Sequence, residues 1–165
     1  TESRPFFITL NHYAPHTPID AKPEYERYFE SKLNHDLSHK NPGYAAMIKS
    51  LDENVGKIIV HLERKGLLQN TIVVFTSDNG GYIGTDGKRN LPVTSNWPLR
   101  SGKASLYEGG LRVPCILFWP DKKGMGHSCT TPIQLTDLHA TLLQALPLAN
   151  ASQATSSSIH DSVDL

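Results

Sequence analysis

The sequence lacks an excess of either charge. Its 16 Lys and Arg residues balance 16 Asp and Glu residues, for a formal net charge of zero with His neutral. That balance excludes bulk attraction to nucleic acid or to an anionic membrane and leaves room only for a local basic site. Long apolar runs are also missing: none approaches the roughly 20 residues that a membrane span needs. Cysteine is scarce. Cys115 lies in an apolar stretch and reads as a buried small hydrophobe, whereas Cys129 lies in a polar loop. The two residues do not set a redox compartment, and spacing alone does not support a bridge between them. No secretory leader is visible, because Thr1-Glu-Ser-Arg-Pro5 has neither a basic start nor an apolar core. The first residue is not Met, so the chain reads as starting inside a larger protein. There is no internal repeat. The sequon Asn150-Ala-Ser152 matters only in a eukaryotic secretory protein. The absence with most chemical weight is that of a nucleophile beside the charged motifs described below.

What is present suggests alternating strands and helices. Pro5-Phe-Phe-Ile-Thr-Leu10 is apolar and β-forming, and reads as a buried strand. Asn11 to Pro23 is a proline-rich loop, and Glu24 to Leu33 a short helix. Tyr44 to Leu68 carries helical periodicity in Met47, Ile48, Leu51, Val55, Ile58, Ile59 and Leu62, with Pro42-Gly43 before it and Gly66 near its end. Ile72 to Thr76 and Val113 to Trp119 are continuous apolar runs, expected as strands covered on both faces. Gly80 to Gly102 is a loop of a length that is usually functional or disordered. Leu135 to Leu146 fits a helix with Leu138, Leu142, Leu143 and Leu146 on one side. The expected fold is α/β, a mixed and mostly parallel sheet flanked by helices. The expected organisation is one domain over 1–148 and a polar loop or tail over 149–165.

Three motifs can carry chemistry. Asp78-Asn79-Gly-Gly81 follows the apolar run Thr71-Ile-Val-Val-Phe75, at the place where open α/β sheets bind ligands. A carboxylate and an amide oxygen suit Ca²⁺ or Mg²⁺. The same four residues are also good turn formers with no further role. Lys103, between Gly102 and Tyr107-Glu-Gly-Gly110, can meet a sulfate or phosphate oxygen as a point charge, or can be a solvated loop lysine. His16, held between Pro15 and Pro18, can act as a general acid or base, or can be an ordinary surface histidine. His12 is a weaker candidate. The prolines deny His12 and His16 a helical face on which to share zinc.

Taken in order, these pieces resemble the sulfatase family of the alkaline-phosphatase-like superfamily. The resemblance rests on Pro15-His-Thr-Pro18, Phe75-Thr-Ser-Asp-Asn-Gly80, Gly102-Lys-Ala-Ser-Leu-Tyr-Glu-Gly-Gly110 and Leu135-Thr-Asp-Leu-His-Ala-Thr-Leu-Leu143, and covers about Pro5 to Leu148. It implies that Asp78 and Asn79 match the downstream ligands of a divalent cation, usually Ca²⁺, with Mg²⁺ as the alternative. Lys103 matches the lysine that contacts the sulfate and its leaving oxygen, and His16 the histidine near the leaving group. Glu108 and Arg112 form an internal pair. The implied substrate is a sulfated small molecule or glycan, and the implied location is periplasmic, extracellular or lysosomal.

The family's formylglycine, made within Cys-x-Pro-x-Arg or its Ser equivalent, has no counterpart here. Neither Cys115-Ile-Leu-Phe-Trp119 nor Cys129-Thr-Thr-Pro-Ile133 matches it. The upstream Asp-Asp metal pair is missing too. The chain therefore reads as the latter, incomplete portion of a sulfatase catalytic domain, inactive alone, whose partner is the missing N-terminal part of that domain. Two rivals stay open: a phosphonate monoester or phosphodiester hydrolase of the same superfamily, and a non-catalytic α/β fragment.

Overall fold

A computed structural model of the chain describes residues 4–34, 38–120 and 126–145. The chain divides into two compact units, Thr1–Lys123 and Gly124–Leu165. The first contains helix α1 (Pro23–Glu30), helix α2 (Pro42–Arg64), a 3-10 turn (Leu68–Asn70), strand β1 (Val73–Thr76), the short helix α3 (Glu108–Leu111) and strand β2 (Cys115–Phe118). The second contains helix α4 (Asp137–Ala145).

α2 begins where Asn41 supplies a cap. Its backbone is extended and its side-chain oxygen accepts from the Tyr44 amide at 3.1 Å. Pro42 opens the first turn, where its missing N–H leaves nothing unpaired. The helix closes when the Gly66 and Leu67 amides bond back to the Glu63 and Leu62 carbonyls, both at 2.9 Å. This paired closure stops it at Arg64, short of the Leu68 that periodicity suggested. α1 packs on α2 through polar contacts. The Tyr25 hydroxyl donates to Glu53 Oε2 at 2.5 Å and Lys49 Nζ pairs with Glu53 Oε1 at 2.8 Å. Lys49 and then Tyr25 hold the Glu53 carboxyl below its ordinary pKa.

The apolar core of this unit is small. Ile19, Met47 and Val93 are buried together, with Ala14, Ala21 and Tyr44 packed against them. Val93 belongs to the long loop, so that loop is part of the packing. A single bridge, Thr85 to Pro92, gives it a hairpin-like centre. The Asp86 carboxylate organises that centre. It accepts from Asn41 Nδ2 at 2.6 Å and from the Arg89 amide at 2.5 Å, and lies 3.4 Å from Arg89 Nη1. Arg89 also pairs with Glu26 of α1. One loop is thereby tied to both helices.

The α/β character stands, but the sheet differs from the expected one. Among the described residues, β1 pairs only with β2, and the pairing is antiparallel, from Val73 opposite Phe118 to Thr76 opposite Cys115. The expectation of strands covered on both faces is corrected as well. β1 is half-buried along its length, Cys115 to Leu117 are exposed, and Ile116 is 62% exposed. Burial of a strand's face needs a layer packed over it, and among the described residues no helix or second sheet packs on this ribbon. Cys115 is accordingly an exposed free thiol, as is Cys129. Pro5 to Leu10 forms no strand and is exposed, with Phe7 at 79%. An extended segment without a hydrogen-bonding neighbour has no ladder to join.

In the second unit, α4 starts at Asp137, whose side chain accepts from the Gln134 amide at 2.7 Å. Its buried positions are Asp137, Ala140 and Thr141, whereas Leu138, Leu142 and Leu143 are half-buried. The face expected to lead into a core is thus not the most buried one. Leu146 and the tail assigned to 149–165 lie outside the described residues.

Asp86→Ala is expected to destabilise the first unit by about 2–3 kcal/mol, because it leaves Asn41 Nδ2 and the Arg89 amide without their acceptor. Chemical denaturation of the two proteins checks this. A loss within experimental error would mean that the other ties, such as the Arg89–Glu26 pair and the apolar contacts of Val93, hold the loop to the helices without Asp86.

Candidate active site

β1 ends at Thr76 and Asp78 follows just beyond it, as expected of a residue aimed at a ligand site at the strand's carboxyl end. The Thr76 hydroxyl donates to the Pro114 carbonyl at 3.0 Å, which ties the end of β1 to the start of β2. Ser77 Oγ donates to the Asn79 carbonyl at 3.0 Å and shapes the turn. Asp78 is exposed and Asn79 half-buried.

Two further stretches close on this turn. The Gly80 amide donates to the Gly110 carbonyl at 2.9 Å. A Cβ on Gly80 would overlap the Gly109 carbonyl, so this approach requires glycine. The Lys103 amide donates to the Gly81 carbonyl at 3.0 Å. Lys103 is therefore joined by backbone to the residues that follow Asp78 and Asn79, and it is half-buried. Ser101 and Ala104, on either side of Gly102-Lys103, have φ of 66° and 70°. Left-handed backbone at non-glycine residues costs on the order of 1–3 kcal/mol each and persists where the surroundings impose it. Arg100 lies over the Tyr107 ring at 3.8 Å and braces the same loop.

His16 sits in a tight turn of its own. Its amide donates to the Tyr13 carbonyl at 2.9 Å, and its ring Nδ1 lies 2.6 Å from the Thr17 carbonyl. A carbonyl only accepts, so Nδ1 carries the proton of that bond and Nε2 is left for other work. The Tyr13 hydroxyl donates to the same carbonyl at 2.7 Å. The turn is anchored through Ala14 and Ile19, which pack with Met47 and Val93. Among the described residues, no hydrogen bond runs from His16 to the Asp78 or Lys103 turns. The backbone joins the Asp78–Asn79 turn to the Lys103 turn through Gly81, and His16 stands in a separate turn packed on the core of Ile19, Met47 and Val93.

Asp78 and Asn79 offer one carboxylate and one amide side chain. These are the hard oxygen donors that Ca²⁺ takes, but fewer than the six to eight of a full shell. Among the described residues, no group of three or more His, Cys, Asp and Glu side chains stands ready for a metal. The donor chemistry fits half of a calcium site. Glu108 and Arg112 approach only to 4.0 Å and are both well exposed, so the expected internal pair is loose. Asn96 is the residue that sequence reasoning passed over. Its side chain makes three hydrogen bonds, two to Gly81 and one to Ser101. Its position between the two glycine turns was the available signal.

The Sulfatase family model matches residues 1–148. Arylsulfatase J of Mus musculus is 33% identical over 141 residues, which is 86% of this chain and 22% of that protein. A sulfatase of Formosa agariphila is 36% identical over 124 residues, 70% of this chain and 21% of that protein. Among solved structures, Ps i-CgsB in complex with k-i-k-neocarrahexaose superposes with a TM-score of 0.71 at 32% identity, over 92% of this chain and 30% of that one. The chain spans about a fifth of the length of the curated relatives it matches. With Asp78 beyond a strand end and Lys103 bonded to the same turn, the match over nearly the whole chain leads to one conclusion: this chain belongs to the sulfatase family.

Proposed function

We propose that this chain is the latter portion of a sulfatase catalytic domain and contributes part of the active site of a sulfuric ester hydrolase. The observation that carries the proposal is the backbone bond from Lys103 to Gly81, which joins the lysine turn to the turn that carries Asp78 and Asn79. Asp78 and Asn79 would hold Ca²⁺, or Mg²⁺ in its place. When bound, the cation supplies positive charge against the sulfate oxygens. Lys103 is a second, fixed positive charge for the sulfate and for the oxygen that leaves it. His16, as imidazolium, can donate its Nε2 proton to the departing alkoxide. It then becomes the neutral ring that still bonds Thr17 through Nδ1.

The formylglycine nucleophile and the remaining metal ligands belong, in this reading, to an N-terminal part of the same domain. Two observations support such a partner. The apolar residues Phe6, Phe7, Ile8 and Ile116 are all more than half exposed, as surfaces that further chain covers would be. No Cys-x-Pro-x-Arg or Ser-x-Pro-x-Arg occurs in the 165 residues. For the substrate we propose a sulfated carbohydrate, the ligand class seen in the complex of Ps i-CgsB. Tyr82 and Trp97 of the long loop, 46% and 79% exposed, are available to meet a sugar ring.

The chain on its own is expected to hydrolyse neither an aryl sulfate nor a phosphonate ester, even with excess Ca²⁺. Turnover that survives purification and vanishes in Asp78→Ala would overturn the assignment to an incomplete domain. Within the longer enzyme, Lys103→Ala is expected to lower kcat by about 10²-fold, the cost of removing one fixed charge from a preorganised site. Its thermal midpoint should stay close to that of the unmodified enzyme, since Lys103 is only half-buried. Rate and midpoint measured together separate the two effects, and an unchanged rate would return Lys103 to the role of a loop lysine.

A further inference from the structure

We propose that Asn96 is a positioning residue that fixes the Asp78–Asn79 turn and the Lys103 turn in one mutual geometry. This rests on the reading of Asp78, Asn79 and Lys103 as active-site residues. The Asn96 side chain accepts from the Gly81 amide at 3.1 Å through Oδ1. Its Nδ2 donates to the Gly81 carbonyl at 2.9 Å and to the Ser101 carbonyl at 3.1 Å. A primary amide has two N–H donors and one oxygen acceptor, and all three functions are engaged. One side chain therefore grips both polar groups of Gly81 and the carbonyl that precedes Gly102.

The fit is tight. A Cβ on Gly81 would lie 2.8 Å from Asn96 Oδ1, and one on Gly102 would lie 2.7 Å from Asn96 Nδ2. The Gly81 carbonyl that Asn96 holds is the same atom that accepts from the Lys103 amide. If Asn96 is removed, this carbonyl keeps only the Lys103 amide as donor, and the Lys103 turn is held less firmly against the turn that carries Asp78. The left-handed backbone at Ser101 and Ala104 gives the second reason. A strained loop relaxes unless it is held, and the Asn96 bond to the Ser101 carbonyl is a hold at that point. A misplacement of about 1 Å at a reacting centre can lower turnover by about 10²-fold.

The nearest isostere tests the idea. Asn96→Asp keeps the acceptor for the Gly81 amide but turns an acceptor toward the Gly81 and Ser101 carbonyls, whereas Asn96→Ala removes all three bonds. In the 165-residue chain, amide hydrogen exchange is read residue by residue. In Asn96→Ala, the Gly81 and Lys103 amides are expected to exchange at least about tenfold faster, a local opening, while α2 amides keep their protection. In Asn96→Asp, Lys103 speeds up and Gly81 does not. Uniform acceleration along the chain, or none at Lys103, would overturn the proposal. In the longer enzyme, both variants are expected to lower kcat by about 10²-fold and to raise the Ca²⁺ concentration for half-maximal activity, with KM within about twofold. A fall in thermal midpoint with kcat and Ca²⁺ dependence unchanged would show a structural brace and refute positioning. Asp78→Ala serves as the control. If it leaves activity intact, the site reading has failed, and the exchange pattern still decides whether Asn96 clamps the turns.

Discussion

The hydrogen bond from Asn41 to the buried Asp86 carboxylate is the constraint on which most of the first unit depends. Asn41 uses its oxygen to start α2 and its nitrogen to hold Asp86. Asp86 in turn shapes the centre of the long loop and orients Arg89, which pairs with α1. Asp86 is 3% exposed, so an unpaired carboxylate there would be costly. A core of only a few apolar side chains would not hold a loop of this length by itself. The polar network does that work, and the loop then delivers Asn96 to the place where two glycine turns meet.

The elements visible in the sequence were those set by local chemistry. Pro42-Gly43 marked the approach to a helix expected from Tyr44, and the helix starts two residues earlier, at Pro42. The apolar run ending at Thr76 marked a strand, and Asp78 falls just beyond its end. What the sequence did not reveal was tertiary. An apolar run such as Cys115 to Phe118 records that a strand prefers burial, but not whether a covering layer is present. Pro5 to Leu10 has a strand's composition and no partner among the described residues, so composition alone misplaced it. Asn96 was hidden for another reason: its place between two glycine turns was a faint signal, and a loop asparagine does not announce that both ends of its amide will be used.

The site residues divide along the same line. The turn after β1 and the lysine loop were legible because glycines bracket them, and the backbone bonds from Gly80 and Lys103 show why those glycines are needed. His16 is held by its own neighbours, Tyr13 and Thr17, in a turn whose Ala14 and Ile19 pack into the core. Its placement depends on core packing, which a motif does not encode. The donor set at Asp78 and Asn79 has the right chemistry for a hard cation and too few members for a complete shell.

The antiparallel ribbon also acts as a ruler. Thr76 opposite Cys115 sets how far the segment leaving β1 has advanced when the segment entering β2 arrives. A slip of one residue would shift one strand by about 3.3 Å along the other and turn its side chains to the opposite face. The turn of Asp78 to Gly81 would then be out of step with the glycines of α3 that it touches. Strand register, normally a matter of core packing, here also sets where two loops meet.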